Sequence, residues 1–409
     1  MSYERKIIND PVFGFINIPK GLLYDLVCHP LLQRLTRIRQ LGLSSVVYPG
    51  AQHTRFQHSL GAFYLMTEAI QHLTAKGNFI FDSEAEAVKA AILMHDIGHG
   101  PFSHVLEDTI VRGVSHEDIS LLLMERINCE MNGQLTLAIQ IFKDEYPKRF
   151  LHQLVSGQLD MDRLDYLRRD SFYTGVTEGN IGSARIIKML DVKDDHLVVE
   201  EKGIYSIENF LMARRLMYWQ VYLHKASVAY ERMLIAALLR AKELAAKGED
   251  LFASPALHFF LYNDVDRTRF YDDPACLENF IRLDDNDIWT SLKVWCGHPD
   301  KVLSTLSKGM VERRLFKVEI SSEPATEERK QELTAQIAAA LDLTPAEAAW
   351  FVSVPSIEKN MYNPADDSID ILYKDGTTKN IAEASDMLNI QLLSKKVKKY
   401  YLCYLRLHR

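Results

Sequence analysis

No stretch of this sequence approaches the ~18 uninterrupted apolar residues that a membrane-crossing helix needs, so none is expected to span a membrane. Positive charge is not in excess either. Against 55 Asp+Glu stand 48 Lys+Arg, a net charge of −7 over 409 residues. That balance excludes the broad basic face that neutralises a long nucleic-acid backbone, but leaves room for a local basic pocket taking one small phosphorylated ligand. Cysteine is sparse: Cys28, Cys129, Cys276, Cys296 and Cys403 are scattered, odd in number and form no CxxC. They suggest neither a disulfide framework nor a cysteine metal site, and they suit a reducing cytoplasm, the expected location. Residues 1–6 run into Ile7-Ile8-Asn9-Asp10-Pro11 without a long apolar stretch, so no signal peptide is expected. Internal repeats and low-complexity segments are absent.

What is present is ordinary globular material, 47% hydrophobic and 25% charged. Residues 1–20 read as short extended pieces with turns at Asn9-Asp10-Pro11 and Pro19-Lys20-Gly21. From about 22 to 310 the apolar period is helical, as in Leu22, Leu23, Leu26, Val27, Leu31, Leu32, Leu35 and Ile38. The clearest helix is Ser83–Ile97. Ser83 and Glu86 make a capping-box pattern, Val88, Ala91, Ile92 and His95 share a face, and Gly98-His99-Gly100-Pro101 stops it. A long helix, broken or bent, is predicted over Ile207–Lys247, its aromatic and Met content implying burial on several sides. Near residue 312 the texture changes: Arg314–Ile320 alternates like a strand, Glu327–Leu341 is helical, and Ser368–Tyr373 alternates before a turn at Lys374-Asp375-Gly376. The fold expected is therefore mainly α: a helical body over 1–311, with its chemistry at about 50–170 and a helical extension over 171–311. A small α+β unit is expected over 312–409.

The chemistry-bearing residues fall in a distinctive order. His58 lies in Arg55-Phe-Gln-His58-Ser-Leu-Gly61; His95-Asp96 closes an apolar helix; His99, His104 and His116 follow; Asp160, Asp162 and Asp165 cluster in Leu159–Tyr166. Each piece alone has a plainer explanation. His-Asp dipeptides are common, a lone histidine is more often an interhelical core residue, and Asp162, Asp165, Tyr166, Arg169 and Asp170 are spaced like a solvated helix face. In combination they supply two imidazoles and two carboxylates, borderline ligands suited to Mn, Fe, Zn, Ni or Mg without selecting among them. The run Ala90–Met94 leading into His95-Asp96 implies a buried position, where ionisable groups need a partner or a metal. A divalent cation there could activate water and polarise a phosphoryl oxygen.

This order of His…His-Asp…Asp resembles the HD-domain phosphohydrolases. More narrowly it is similar to the deoxynucleoside triphosphate triphosphohydrolases, both bacterial and the animal enzyme that carries a SAM domain. The resemblance runs over residues 5–235, through Ile8–Gly14, Gln33–Gly42, Tyr48–Gly61, His95–His104, Asp160–Tyr166 and Tyr222–Lys225. The C-terminal third looks like that of the bacterial members. The resemblance implies one divalent metal held by His58, His95, Asp96 and Asp162. It implies that His104 acts at the scissile phosphoester, with Glu107, where the animal enzyme has Asp, orienting it, and that His99 and His116 contact the phosphate chain. Arg55 and Arg163 would neutralise phosphates. Tyr166 and Asp170 would surround the sugar 3′-hydroxyl, Tyr222 would stack beneath the sugar and exclude a 2′-hydroxyl, and His224 and Lys225 would make further nucleotide contacts.

Departures from the animal pattern are specific. Cys28 and Thr36 stand at activator-binding positions, although Gln33 matches. Arg163 replaces a lysine, and Tyr218 replaces a pocket histidine. Guanine-nucleotide activation at that site is therefore not carried over. The expected activity is metal-dependent conversion of a dNTP to deoxynucleoside and inorganic triphosphate by a homo-oligomer, a tetramer in the family. A dNTP effector is a further candidate partner. The alternatives are another HD-type nucleotide phosphohydrolase, either a nucleotidase or a phosphodiesterase, and a nucleotide-sensing protein with little turnover.

Overall fold

The extended pieces expected at the N-terminus pair as an antiparallel hairpin, β1 (Arg5–Asp10) and β2 (Gly14–Pro19), with Asp10 opposite Gly14 at the turn. Asp10 closes that turn by accepting the Val12 and Phe13 N–H groups, each at 2.9 Å. The computed structural model describes residues 5–102, 105, 109–359, 362, 368–387 and 396–407. The chain is mainly α with a small α+β portion, as its periodicity predicts. Among the described residues no helix is long and apolar enough to cross a membrane.

Three helices carry the candidate chemistry. The first, Arg55–Ala75, starts at a reciprocal cap in which Gln57 Oε1 accepts from Thr54 N–H (2.9 Å) and Thr54 Oγ1 from Gln57 N–H (3.5 Å). The second, Asp82–Met94, begins slightly earlier than the Ser83/Glu86 pattern predicts. Glu84, not Glu86, turns back to the chain, accepting from Phe81 N–H at 2.8 Å. The buried Glu84 carboxylate also takes the Lys148 ammonium (2.7 Å) and the Tyr146 hydroxyl (2.5 Å), tertiary partners that local spacing does not reveal. The third, Met161–Thr174, is capped by Asp160, which accepts from Arg163 N–H at 2.6 Å. It packs on the first helix.

Residues Ala90–Met94 are fully buried, so the helix carrying His95-Asp96 ends inside the body. Gly98 is required there. A Cβ would overlap the backbone of the helix His116–Glu130, whose Ser120 hydroxyl accepts from Gly98 N–H and donates to the His95 carbonyl, both at 2.9 Å. Arg34 locks the same turn from below. Its guanidinium, almost fully buried, donates to the carbonyls of His99 (2.9 Å), Ile97 (3.3 Å), Leu283 (3.0 Å) and Phe280 (3.4 Å). Burial opposes its charge and pushes its pKa down to about 10.

The predicted long helix is broken. Ile204–Met217 passes into a wider turn, Tyr218–Tyr222, where Leu223 N–H reaches back five residues to Tyr218 O (2.8 Å). His224 then caps Lys225–Ala246 through Nδ1 and the Ala226 N–H (3.2 Å). Tyr48 donates to Gln220 O (2.6 Å), Tyr401 donates to Leu223 O (3.3 Å), and Lys399 lies 3.8 Å from the Trp219 ring centre.

The C-terminal strands form two sheets. β3 (Leu190–Lys193) and β4 (His196–Glu200) make a hairpin within the helical body. The first C-terminal strands are β5 (Lys317–Ser321), β6 (Val352–Ser353) and β7 (Ser356–Lys359). They are followed by β8 (Asp370–Leu372), β9 (Thr378–Asn380) and β10 (Val397–Tyr404). β10 pairs antiparallel with β5 on one side and with β6 and β7 on the other, while β8 and β9 extend the body hairpin, β8 running parallel to β4. The helix expected over Glu327–Leu341 spans those residues.

Replacing Arg34 by Met removes the donor to the carbonyls of Ile97, His99 and Leu283 and should cost about 3 kcal/mol of stability, given ~1–3 kcal/mol per unsatisfied buried polar group partly relieved by relaxation. A urea midpoint equal to that of the wild type would contradict this account of the turn.

Candidate metal centre and catalytic pocket

His58, one turn into its helix, and His95, just past the end of the second, face each other with Nε2 atoms 3.2 Å apart. The opposite nitrogen of each ring is committed. His58 Nδ1 lies 2.7 Å from Asp165 Oδ2, and His95 Nδ1 lies 2.7 Å from the Ile92 carbonyl. Both partners only accept, so both Nδ1 atoms carry the proton and both Nε2 atoms are left to the centre. Asp162 Oδ1 stands 3.0 Å from His58 Nε2 and 3.6 Å from His95 Nε2. Ligand atoms of these three residues lie within 4.8 Å of one another. Asp96 borders them, its carboxylate 3.5 Å from His95 Nε2 and 3.8 Å from His58 Nε2, with Arg55 Nη1 at 2.5 Å and His99 Nε2 at 3.3 Å. Two oriented imidazole lone pairs facing carboxylates fit a divalent cation; two bare imidazoles at 3.2 Å need either a cation or a proton between them.

Electrostatics supports that fit. Burial alone would lower the His58 pKa, but its hydrogen bonds to Asp162 and Asp165 outweigh it and raise the value to about 10. His95 also moves up, as Asp96 and Asp162 overcome burial. Burial opposes ionisation of Asp162 and Asp96 as well, yet the imidazoles for the first, and Arg55, His95 and His99 for the second, hold both well below the usual carboxylate range. The pocket thus favours two carboxylates facing positive charge, supplied by protons when no cation is bound.

Other expected residues are brought to this centre with changed partners. His99 stacks on His116 (ring centres 3.9 Å apart, planes 16° apart). Burial, then the Arg55 charge, push its pKa down to about 3, so it offers a neutral imidazole at neutral pH. Arg163 is engaged by Asp160, whose own pKa burial raises to about 6. The Tyr222 hydroxyl donates to Asp170 Oδ2 (2.8 Å), and its ring meets Tyr166 and Tyr218 edge-on, with centres 6.0 and 5.2 Å away. Tyr222, Tyr218 and Arg55 line a cavity of about 280 Å³ with Gln40, Phe102 and Glu231. Lys225 is not on it. It lines a second cavity of about 350 Å³ with Arg313, Lys317 and Arg406, and His224 serves as a helix cap beside Tyr48. His104 and Glu107 lie outside the described residues.

Several contributors escape the sequence reading. His53, fully buried, places Nε2 2.7 Å from Asp170 Oδ1, so Asp170 holds Tyr222 from one side and is itself held from the other. Gln40 has a buried Oε1 without a hydrogen-bond partner. Asp165, Arg169 and Asp170 are at most 1% exposed, which overturns the solvated-face reading of their spacing. The one available signal was Gly61, whose missing side chain admits Asp165 and Arg169 against the His58 helix.

Comparison with known proteins agrees with this geometry. The HD domain family matches residues 55–154, and the HD associated region matches residues 181–254. YwfO of Bacillus subtilis, an uncharacterized protein, is 33% identical over 76% of this chain and 71% of its own length. The Dictyostelium discoideum homolog of the deoxynucleoside triphosphate triphosphohydrolase SAMHD1 is 29% identical over 61% of this chain and 52% of its own, so the match spans about half of that relative. The crystal structure of a phosphohydrolase from Bacteroides thetaiotaomicron superposes with a TM-score of 0.96 at 83% identity, covering 98% of this chain and 100% of that one.

Metal binding must displace a proton from the His58–His95 pair. Because the His58 pKa is raised to about 10, apparent affinity should climb as pH rises toward that value, by up to about tenfold per unit for each proton released. Calorimetric titration of the metal-free protein near pH 7, in two buffers of different ionisation enthalpy, should show net proton release. Heats independent of the buffer would count against a site built on these imidazoles.

Proposed function

The chain belongs to the HD-domain phosphohydrolases, and we propose that it hydrolyses deoxynucleoside triphosphates to deoxynucleoside and inorganic triphosphate. The observation that carries this reading is the cavity beside the metal centre, bounded by Arg55 next to Asp96 and by a Tyr222 ring whose hydroxyl is tied down by Asp170. A triphosphate carries about four negative charges, and a site that accepts it must supply cationic donors at one end. Arg55 does so directly. Arg163 does so only while sharing its charge with Asp160. His58, His95, Asp96 and Asp162 would hold the divalent cation, which when bound supplies positive charge to the reacting phosphoryl group.

The residues divide the remaining work. Water attacks the α-phosphorus, the bond from that phosphorus to O5′ breaks, and O5′ must gain a proton. His104 is the proposed donor, oriented by Glu107, because an alkoxide is a poor leaving group. His99, neutral at the working pH, can donate a hydrogen bond to a phosphoryl oxygen without releasing a charge, and its stacking on His116 fixes its plane. Tyr222, held rigid by Asp170 and backed by Tyr166, would lie under the sugar and leave no room for a 2′-hydroxyl. The second cavity, lined by Lys225, Arg313, Lys317 and Arg406, has the charge to take a nucleotide effector. The working protein is proposed to be a cytoplasmic homo-oligomer.

Incubation with each dNTP and Mn²⁺ or Mg²⁺ should release triphosphate and deoxynucleoside. Orthophosphate or a nucleoside monophosphate as the first product would instead identify a nucleotidase or phosphodiesterase. ATP should be turned over about 10²-fold less efficiently than dATP, the scale at which a shaped pocket rejects one added hydroxyl, and Tyr222→Ala should narrow the gap. Equal turnover of ATP and dATP by the wild type would remove Tyr222 from this role. His104→Ala should retain metal and lose ~10²–10⁴-fold in kcat. Near-normal turnover would transfer the proton-donor role elsewhere.

A further inference from the structure

A chain of buried charges leads away from the metal centre toward the N-terminal hairpin. His58 Nδ1–H donates to Asp165 Oδ2 at 2.7 Å. The Asp165 carboxylate also accepts from Arg169, through Nε at 2.9 Å and Nη2 at 3.0 Å. Arg169 Nη1 reaches across to Asp10 Oδ2 at 2.7 Å. Asp10 in turn gathers the Val12 and Phe13 N–H groups that close the β1–β2 turn. Side-chain exposure along the series is 1% for His58, 0% for Asp165 and Arg169, and 4% for Asp10.

We infer that Asp165, Arg169 and Asp10 are positioning residues that set the affinity of His58 for its metal, which makes the N-terminal hairpin a functional part of the centre. Three observations converge on this. A fully buried ion-pair series is a poor source of stability, since packed apolar residues of the same volume often do as well, so its retention calls for another role. Its carboxylate nearest the centre, Asp165, fixes the tautomer and ring plane of a metal-facing imidazole, the arrangement that raises ligand basicity at metal sites. Finally, Gly61, three residues after His58, is bare where any side chain would overlap Asp165 and Arg169, so the helix carrying the ligand is shaped to admit the series. Arg169 serves both ends: it keeps Asp165 ionised and aimed, and Asp10 keeps Arg169 from swinging away. The inference rests on the metal centre of the proposed function and not on its nucleotide chemistry, so it is tested with metal alone.

The experiment is Mn²⁺ titration of the full chain without nucleotide, counting free metal by electron paramagnetic resonance. It uses Asp165→Asn, Asp10→Asn and, as a comparison, Arg168→Ala. Arg168 packs over Phe13 (4.8 Å to the ring centre) and bonds Val12 O (3.4 Å), so it braces the same turn without touching Asp165 or Asp10. Asp165→Asn should weaken Mn²⁺ binding about 10–100-fold, the range for partners of metal-bound histidines. Asp10→Asn should weaken it several-fold, with both proteins folded by circular dichroism and Arg168→Ala binding as the wild type does. If Asp165→Asn does not fold, Asp10→Asn carries the test alone. Wild-type affinity in a folded Asp10→Asn protein, or an equal loss in Arg168→Ala, would overturn the inference. Absence of dNTP turnover in the wild type, with the metal affinities shifted as expected, would bear on the proposed function and not on this series.

Discussion

A carboxylate taken out of water must find a charge or a set of donors, and much of this site follows from where Asp96, Asp165 and Asp170 find theirs. Asp96 meets Arg55 and three imidazoles, Asp165 meets His58 and Arg169, and Asp170 meets His53 and the Tyr222 hydroxyl. The long-range pairings join elements distant in sequence: the His58 helix to the Asp162 helix, the His-Asp turn to Arg55, the Asp162 helix to the broken segment at 218–222. The two close-approach glycines follow from the same need, Gly61 making room for Asp165 and Arg169 and Gly98 letting the His116 helix reach the His-Asp turn.

Partner choice also sorts the residues by the charge they can offer a ligand. Arg163 is answered inside the protein by Asp160, and His99 is kept neutral by burial and by Arg55. Arg55 faces the other way: its partner Asp96 borders the metal centre, so a cation there would relieve that carboxylate and free part of the guanidinium's charge. Anion binding and metal binding would thereby be coupled through a single ion pair. The broken segment at 218–222 adds shape to charge, since a continuous helix would not hold Tyr218 and Tyr222 in the geometry that β10 and Tyr48 brace.

Periodicity and motif order made much of this legible. The helical body, the strand–helix alternation after residue 312 and the helix over Glu327–Leu341 are local properties, and they hold. That His58, His95 and Asp162 gather at one place was legible because residue type and order carry it. The tertiary partners were not. Nothing near Glu84 in sequence announces Lys148, and local spacing alone points to Ser83 and Glu86 as the cap. Nothing near Asp165 announces Asp10, so a fully buried helix face was spaced like a solvated one. Lys225 adjoins Tyr222 in sequence but faces another cavity, because the chain turns between them at His224. For Glu84 and Asp165 the deciding contact spans a large sequence separation.

In the proposed reaction water attacks the α-phosphorus and the bond from that phosphorus to O5′ breaks. Single turnover in ¹⁸O-labelled water, followed by mass spectrometry of both products, tests it most directly. One ¹⁸O in the inorganic triphosphate and none in the deoxynucleoside is the predicted result. Label in released orthophosphate or in a nucleotide, with no labelled triphosphate, would contradict it.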